Sequence, residues 1–208
     1  MVGWRCLVSE RCAGTYGGKH ISPTAASCGM NVRGIGRAVL VALALAASAC
    51  SAATYPELAT VSHVDLERFM GDWYVIANIP TRTERKAHNS IESYELDSDG
   101  TIKTTFTFRK GGFAGEEKRY TPRGFVVDKQ TNALWTMKFG WLVKADYRII
   151  YLTDDYSQTV IGRNKRDYVW IMARKPTIPI EDYARLARFL ASVGYDVSKL
   201  HRVPQQWN

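Results

Sequence analysis

Asp99-Gly100-Thr101-Ile102-Lys103-Thr104-Thr105-Phe106-Thr107-Phe108-Arg109 is the stretch on which the fold turns. Asp-Gly is a strong signal for a tight hairpin, because such turns need positive φ. The residues after the turn alternate with period two. Ile102, Thr104, Phe106 and Phe108 share one face; Lys103, Thr105, Thr107 and Arg109 share the other. That pattern belongs to a strand with one buried face and one wet face.

Outward from this hairpin the pattern repeats. Further strands are predicted at Trp73–Ile79, Ser90–Leu96, Arg119–Asp128, Leu134–Phe139, Tyr147–Thr153, Gln158–Gly162 and Tyr168–Arg174. With Thr101–Arg109 that makes eight, separated by turns rich in Gly, Asp and Asn, as in an antiparallel barrel or sandwich. A single helical turn is expected within Val61–Met70, stopped by Gly71. One longer helix is expected at Ile180–Leu190, with Pro179 at its start, acids in its first turn and Gly194 past its end. Lys199–Val203 reads as one more short strand. Eight strands closing on themselves leave room for side chains plus one small ligand, and closure removes exposed edges.

Composition narrows the function classes. An apolar fraction of 46% supports a packed core. Formal charge is +8, but five basic residues and one acid lie in the first fifty positions, which leaves 23 basic and 19 acidic residues beyond them. No basic run interleaved with aromatics appears, so nucleic acid is not an expected partner. The cysteines are Cys6, Cys12, Cys28 and Cys50. The β-rich region therefore has no disulfide, no thiolate metal site and no nucleophilic cysteine. No metal, no cofactor and no catalytic residue is expected.

Residues 38–49 are small or apolar and follow Arg33 and Arg37. Twelve residues are too few for a membrane span, which needs about 20, but suit a secretory signal. The end of this segment, Ala47-Ser48-Ala49-Cys50, resembles a bacterial lipobox, with Ala47 where Leu is usual. That resemblance implies acylation of Cys50, with palmitate or a similar chain; the alternative is cleavage after Ala49 and a soluble periplasmic product. Ser51, rather than Asp, implies sorting to the outer membrane. The expected organisation is 1–29 an N-terminal extension from a wrong start codon (or an unusual leader), 30–49 a signal peptide, 50–59 a tether and 60–208 the barrel.

Three motifs in order resemble the lipocalin family: Gly71-Asp72-Trp73-Tyr74, then Thr153-Asp154-Asp155-Tyr156, then Arg174 closing Asp167–Arg174. Asp167–Pro176 and Gly194–Lys199 are similar to bacterial outer-membrane lipocalins. The resemblance covers about Thr60 to Val203. It implies an all-β, eight-stranded antiparallel up-and-down barrel with one C-terminal helix packed outside. It also implies that Gly71, Trp73 and Arg174 are structural, with Arg174 across Trp73 at the closed end. Val75 stands where the family often has Glu, which makes the wall more apolar.

Alternation then assigns the cup. Lys138 outside puts Trp135, Met137 and Phe139 inside; Arg148 outside puts Tyr147, Ile149 and Tyr151 inside. Arg174 at the base puts Met172, Trp170 and Tyr168 inside. Phe106 and Phe108 follow, and by resemblance Gly124 and Val126. An aromatic, apolar cup suits an acyl chain. On the second strand either Ile91/Ser93/Glu95 or Glu92/Tyr94/Leu96 faces in, and resemblance favours the latter. Glu92 would then sit at a watered mouth position or pair with a cationic head group. Thr81–Asn89 is expected to loop over the mouth, with Arg82, Arg85 and Lys86 solvated or attracting an anion.

The expected function is a lipid-anchored outer-membrane carrier of a fatty acid or lysophospholipid, for storage, transport or envelope maintenance. Two alternatives stand beside it. One is a solidly packed barrel that binds a protein partner. The other is a lipid-modifying enzyme, disfavoured because His63, His88 and His201 are expected outside strand walls and away from any G-x-S-x-G motif. Homodimerisation is left open.

Overall fold

The computed structural model describes residues 55–141 and 143–207. Expectations for the first fifty residues, including the signal and Cys50, lie outside the described residues.

A short helix α1 (Leu66–Phe69), capped by the Asp65 carboxylate, leads into β1 (Gly71–Ile79). Next in the chain are β2 (Ala87–Leu96), β3 (Ile102–Lys110), β4 (Glu117–Tyr120), β5 (Arg123–Val126), β6 (Leu134–Phe139), β7 (Val143–Leu152), β8 (Gln158–Gly162) and β9 (Val169–Ala173). Helix α2 (Ile180–Ser192) and a two-residue β10 (His201–Arg202) end the chain. All pairings are antiparallel, and β9 returns to β1, so the sheet closes. The predicted strand Arg119–Asp128 is broken into β4 and β5, both on β3. Pro122 lies at the break and has no N–H for the ladder. Counted as one stave, β4 and β5 complete the expected eight-stranded barrel.

Two apolar layers hold it together. The inner layer fills the barrel's closed end with Phe69, Trp73, Tyr94, Trp135 and their neighbours. The outer layer lies between barrel and α2, where Leu186 and Leu190 cover Ile76, Val160, Val169 and Ile171. Gly162 lets this layer close, because a Cβ there would meet the Tyr195 hydroxyl at 2.6 Å.

Two bulges set which side chains belong to which layer. In β1 the register slips between Val75 and Ala77, so Val75 joins the inner layer and Ile76 and Ala77 the outer. In β7 it slips between Ile149 and Tyr151. The extra residue, Ile150, reverses the alternation beyond it. Tyr151 is therefore not in the cup, as expected from strict period two, but outside. Its ring lies 5.6 Å from Phe189 of α2 and its hydroxyl accepts from Arg185.

The tail has a structural role. The lower part of β1 pairs with β2, and its upper part with β10. β2 bends at Asn89, whose φ is 49°. The tail bridges the gap through Asn89 N–H to the Pro204 carbonyl (2.9 Å) and Gln205 Nε2 to the Val75 carbonyl (2.8 Å).

Candidate functional site

The closed end is packed with buried side chains. Arg174 reaches across it with its guanidinium 3.8 Å from the Trp73 ring centroid. Its nitrogens donate to the carbonyls of Arg68, Phe69, Met70 and Asp72 at 2.8–3.1 Å. The carbonyls of Arg68 and Phe69 belong to the last turn of α1, where a helix leaves its carbonyls without intrahelical donors. Gly71 takes φ +90°, which side-chain-bearing residues rarely adopt, and a Cβ there would touch Arg174. Trp73 Nε1 donates to the Phe69 carbonyl at 2.9 Å. Phe69 in turn contacts Trp73, Tyr94 and Trp135 at centroid separations of 5.1–5.6 Å.

Above this plug the barrel is hollow. A cavity of about 330 Å³ opens toward the β1–β2, β6–β7 and β8–β9 loops. That lies at the lower end of the roughly 300–1,000 Å³ typical of small-ligand sites. Phe106, Met137, Phe139, Tyr147, Tyr168 and Trp170 line it. Phe108, Val126, Trp135 and Ile149 do not. Trp135 and Ile149 are fully buried in the plug, Val126 packs against it, and Phe108 is buried between Phe106 and Tyr120. Thus the cup is shallower than alternation implied, because Trp135 stacks on Tyr147 at 5.1 Å and fills the lower half.

Three acidic residues also line the cavity: Glu92, Glu84 and Asp146, the last with its carboxylate held by Arg148 Nε and the Asn164 N–H. Glu92 lines it from β2, opposite Phe106, so the Glu92/Tyr94 face of that strand is the inner one. Burial pushes its pKa up to about 8; a hydrogen bond with Tyr94 opposes the shift and the nearby Glu84 adds to it. At neutral pH Glu92 therefore holds its proton for the most part. This removes the cost that an unpaired carboxylate would impose there. Below it the Tyr94 and Tyr147 hydroxyls share a 2.5 Å hydrogen bond.

Glu84 was not legible as a site residue. It sits among Arg82, Arg85 and Lys86 in a segment that reads as a solvated loop. The loop instead folds inward and buries Glu84, which accepts from Thr81 Oγ1 (2.6 Å), Asn78 Nδ2 (2.8 Å) and Trp170 Nε1 (2.9 Å). Burial raises its pKa against those three bonds. No sequence signal marks it; the β1 bulge that turns the polar Asn78 inward, where a partner is required, is seen only in the fold.

At the rim, Arg163 lines the cavity with its guanidinium 5.3 Å from the Tyr168 ring and one nitrogen 3.2 Å from Asp167. Its Nε is buried without a hydrogen-bond partner among the described residues. His88 falls in β2, contrary to expectation, because β2 starts three residues earlier than predicted, and His201 falls in β10, within the short strand expected at Lys199–Val203. Neither lines the cavity.

The family model described as a lipocalin-like domain matches residues 64–205. Temperature-induced lipocalin-1 of Arabidopsis thaliana is 33% identical over 163 residues, covering 72% of this chain and 83% of the plant protein. The outer membrane lipoprotein Blc of Escherichia coli K12 is 31% identical over 172 residues, covering 80% of this chain and 96% of Blc. Among solved structures, insecticyanin from the tobacco hornworm Manduca sexta superposes with a TM-score of 0.58 at 17% identity, over 74% of this chain and 86% of its own. That last likeness concerns the fold alone.

Proposed function

The chain belongs to the lipocalin family, whose barrels bind small hydrophobic ligands, and we propose that this one carries a fatty acid or lysophospholipid in the open half of its barrel. The observation that carries the reading is the roughly 330 Å³ cavity, aromatic and aliphatic on its walls and neutral at its floor while Glu92 holds its proton. An acyl segment would lie against Phe106, Met137 and Trp170, and each buried CH₂ contributes about 0.8 kcal/mol. The anionic group would stay at the rim, where Arg163 Nε lacks a partner among the described residues and Thr83 offers a hydroxyl.

The chain acts as a carrier rather than a catalyst in this reading, which membership of the lipocalin family supports. The cavity also speaks against a barrel packed solid for protein binding alone. Lipidation of Cys50 would hold the barrel at the outer membrane, a reading supported by the lipobox-like Ala47–Cys50 and by the likeness to Blc. Storage, transport or envelope maintenance are the roles such a tethered carrier would serve.

Native mass spectrometry of the chain titrated with palmitate and with a lysophospholipid tests the proposal. One lipid adduct per barrel is expected. Ala145→Phe should fill the cavity and abolish the adduct while thermal melting stays cooperative, and Phe106→Arg should do the same. An apo mass unmoved by either lipid, or an adduct that survives Ala145→Phe, would sink it.

A further inference from the structure

We propose that the open end of the barrel docks on an anionic lipid bilayer, so that the cup opens onto lipid. The proposal deepens the carrier reading and rests on it only for what the cup then takes up.

The first observation is a set of large apolar side chains presented to water at one end. The β6–β7 hairpin carries Phe139 (42% exposed), Trp141 (90%) and Val143 (57%). Phe113 (41%) projects from the β3–β4 hairpin at the same end. An indole with nine-tenths of its surface in water packs against almost nothing of its own chain. Trp is a residue of the membrane–water interface, where its ring is buried and its N–H stays wet.

Charge is the second. Exposed Arg82, Arg85 and Lys86 lie on the β1–β2 loop, Lys110 tops β3, Lys144 follows Val143, and Lys165 lies on the β8–β9 loop. None of the six forms an ion pair among the described residues, whereas Lys103 and Arg123, by the closed-end β2–β3 turn, are paired to Asp97. The turns of the closed end instead expose Asp99, Asp154 and Asp155. At the closed end those three exposed acids outnumber the exposed Lys129 and Lys175, so a bilayer with a negative surface is drawn to the open end more than to the closed one.

Where the chain enters supplies the third. Tyr55 lies 5.2 Å beneath the Arg166 guanidinium, and Leu58 N–H donates to Asn164 Oδ1 at 2.8 Å. Asn164 and Arg166 belong to the β8–β9 loop, at the open end. From there the chain descends the outer wall, with Val61 N–H on the Ile149 carbonyl and Val64 N–H on the Thr131 carbonyl. Cys50 is five residues before Tyr55, a reach of at most about 17 Å when extended. A ten-residue stave such as β7 rises about 25 Å at ordinary barrel tilt. The described chain thus begins at the open end, and a lipid attached at Cys50 would favour a bilayer on that side.

The test is hydrogen exchange on the full chain carrying Cys50→Ser, so that no acyl anchor holds it. The probes are vesicles of phosphatidylethanolamine with phosphatidylglycerol, and vesicles of phosphatidylcholine alone. Expected is slowed exchange in 80–86, 111–116 and 139–144 on the anionic vesicles, weaker at high salt and on phosphatidylcholine, with 97–101 and 153–157 unchanged. The double variant Trp141→Ser/Phe113→Ser should lose that protection, and its vesicle partitioning should fall about tenfold. It should still load lipid in vesicle-free solution, which separates docking from cup binding. Vesicle association without protection at the three tips, or protection of the closed-end turns, overturns the proposal. Tip protection that grows with protein concentration in the absence of vesicles assigns the surface to a second copy and overturns it as well. Tip protection in a chain that loads no lipid keeps the docking surface and removes the carrier reading.

Discussion

At the closed end, four aromatic rings pack against one another and Arg174 satisfies four carbonyls; at the open end, Phe106, Met137 and Trp170 stand around space. The same strands run through both regions. The difference lies in what their inward side chains find opposite them. Below, Phe69 from α1 is inserted as a stopper, so every ring has a neighbour. Above, the β1–β2 loop reaches the wall with Thr81, Thr83 and Glu84 but leaves a cavity, which the inward side chains face together with carboxyl groups. The first region is packed and the second is open, so the two can be perturbed separately.

The largest effect should come from the plug. Trp73→Ala removes an indole that is fully buried, donates to Phe69 and lies under Arg174. Urea denaturation should show a loss of about 3–5 kcal/mol, typical of deleting a buried Trp. A loss within about 0.5 kcal/mol would mean that the closed end is not where the fold is held.

A smaller effect, readable by its pH dependence, belongs to the cup. Glu92 is raised from the usual 4.5 to about 8. Between those values the folded chain holds a proton that the unfolded chain has lost, so this group's contribution to stability falls as pH rises and levels off above about 8. The slope approaches about 1.4 kcal/mol per pH unit within the window. Glu84 is raised as well and acts in the same direction. Glu92→Gln should remove one group's slope between pH 4.5 and 8 in urea titrations, and be more stable than the parent at pH 8. Parallel profiles for parent and variant would place Glu92 in water.

The contrast between the ends also explains what could be read in advance. Gly71, Trp73 and Arg174 were legible because their roles depend on local geometry: a positive φ, a ring face and a fork of donors. The strands around Ile102–Phe108 were legible because one clean alternation meets one buried face. Tyr151 was misplaced because a single inserted residue, Ile150, inverts period two, and nothing in Arg-Ile-Ile-Tyr-Leu marks the bulge. Glu84 was missed because charged loops normally stay in water, and only the fold shows that Asn78, Thr81 and Trp170 converge on it. The depth of the cup was overestimated for a related reason. Alternation tells which way Trp135 and Ile149 point, but not that Phe69 arrives from another element to pack the space beside them.

The central claim, a filled closed end beneath a ligand-binding open end, is tested most directly by following the tryptophan indole N–H signals by NMR while palmitate or a lysophospholipid is added. The account predicts that Trp170, at the cavity wall with its Nε1 on Glu84, shifts with saturable occupancy while Trp73 and Trp135 stay in place. Shifts at Trp73 and Trp135 with Trp170 unmoved would contradict it, by showing that ligand enters the plug instead of the cavity above it.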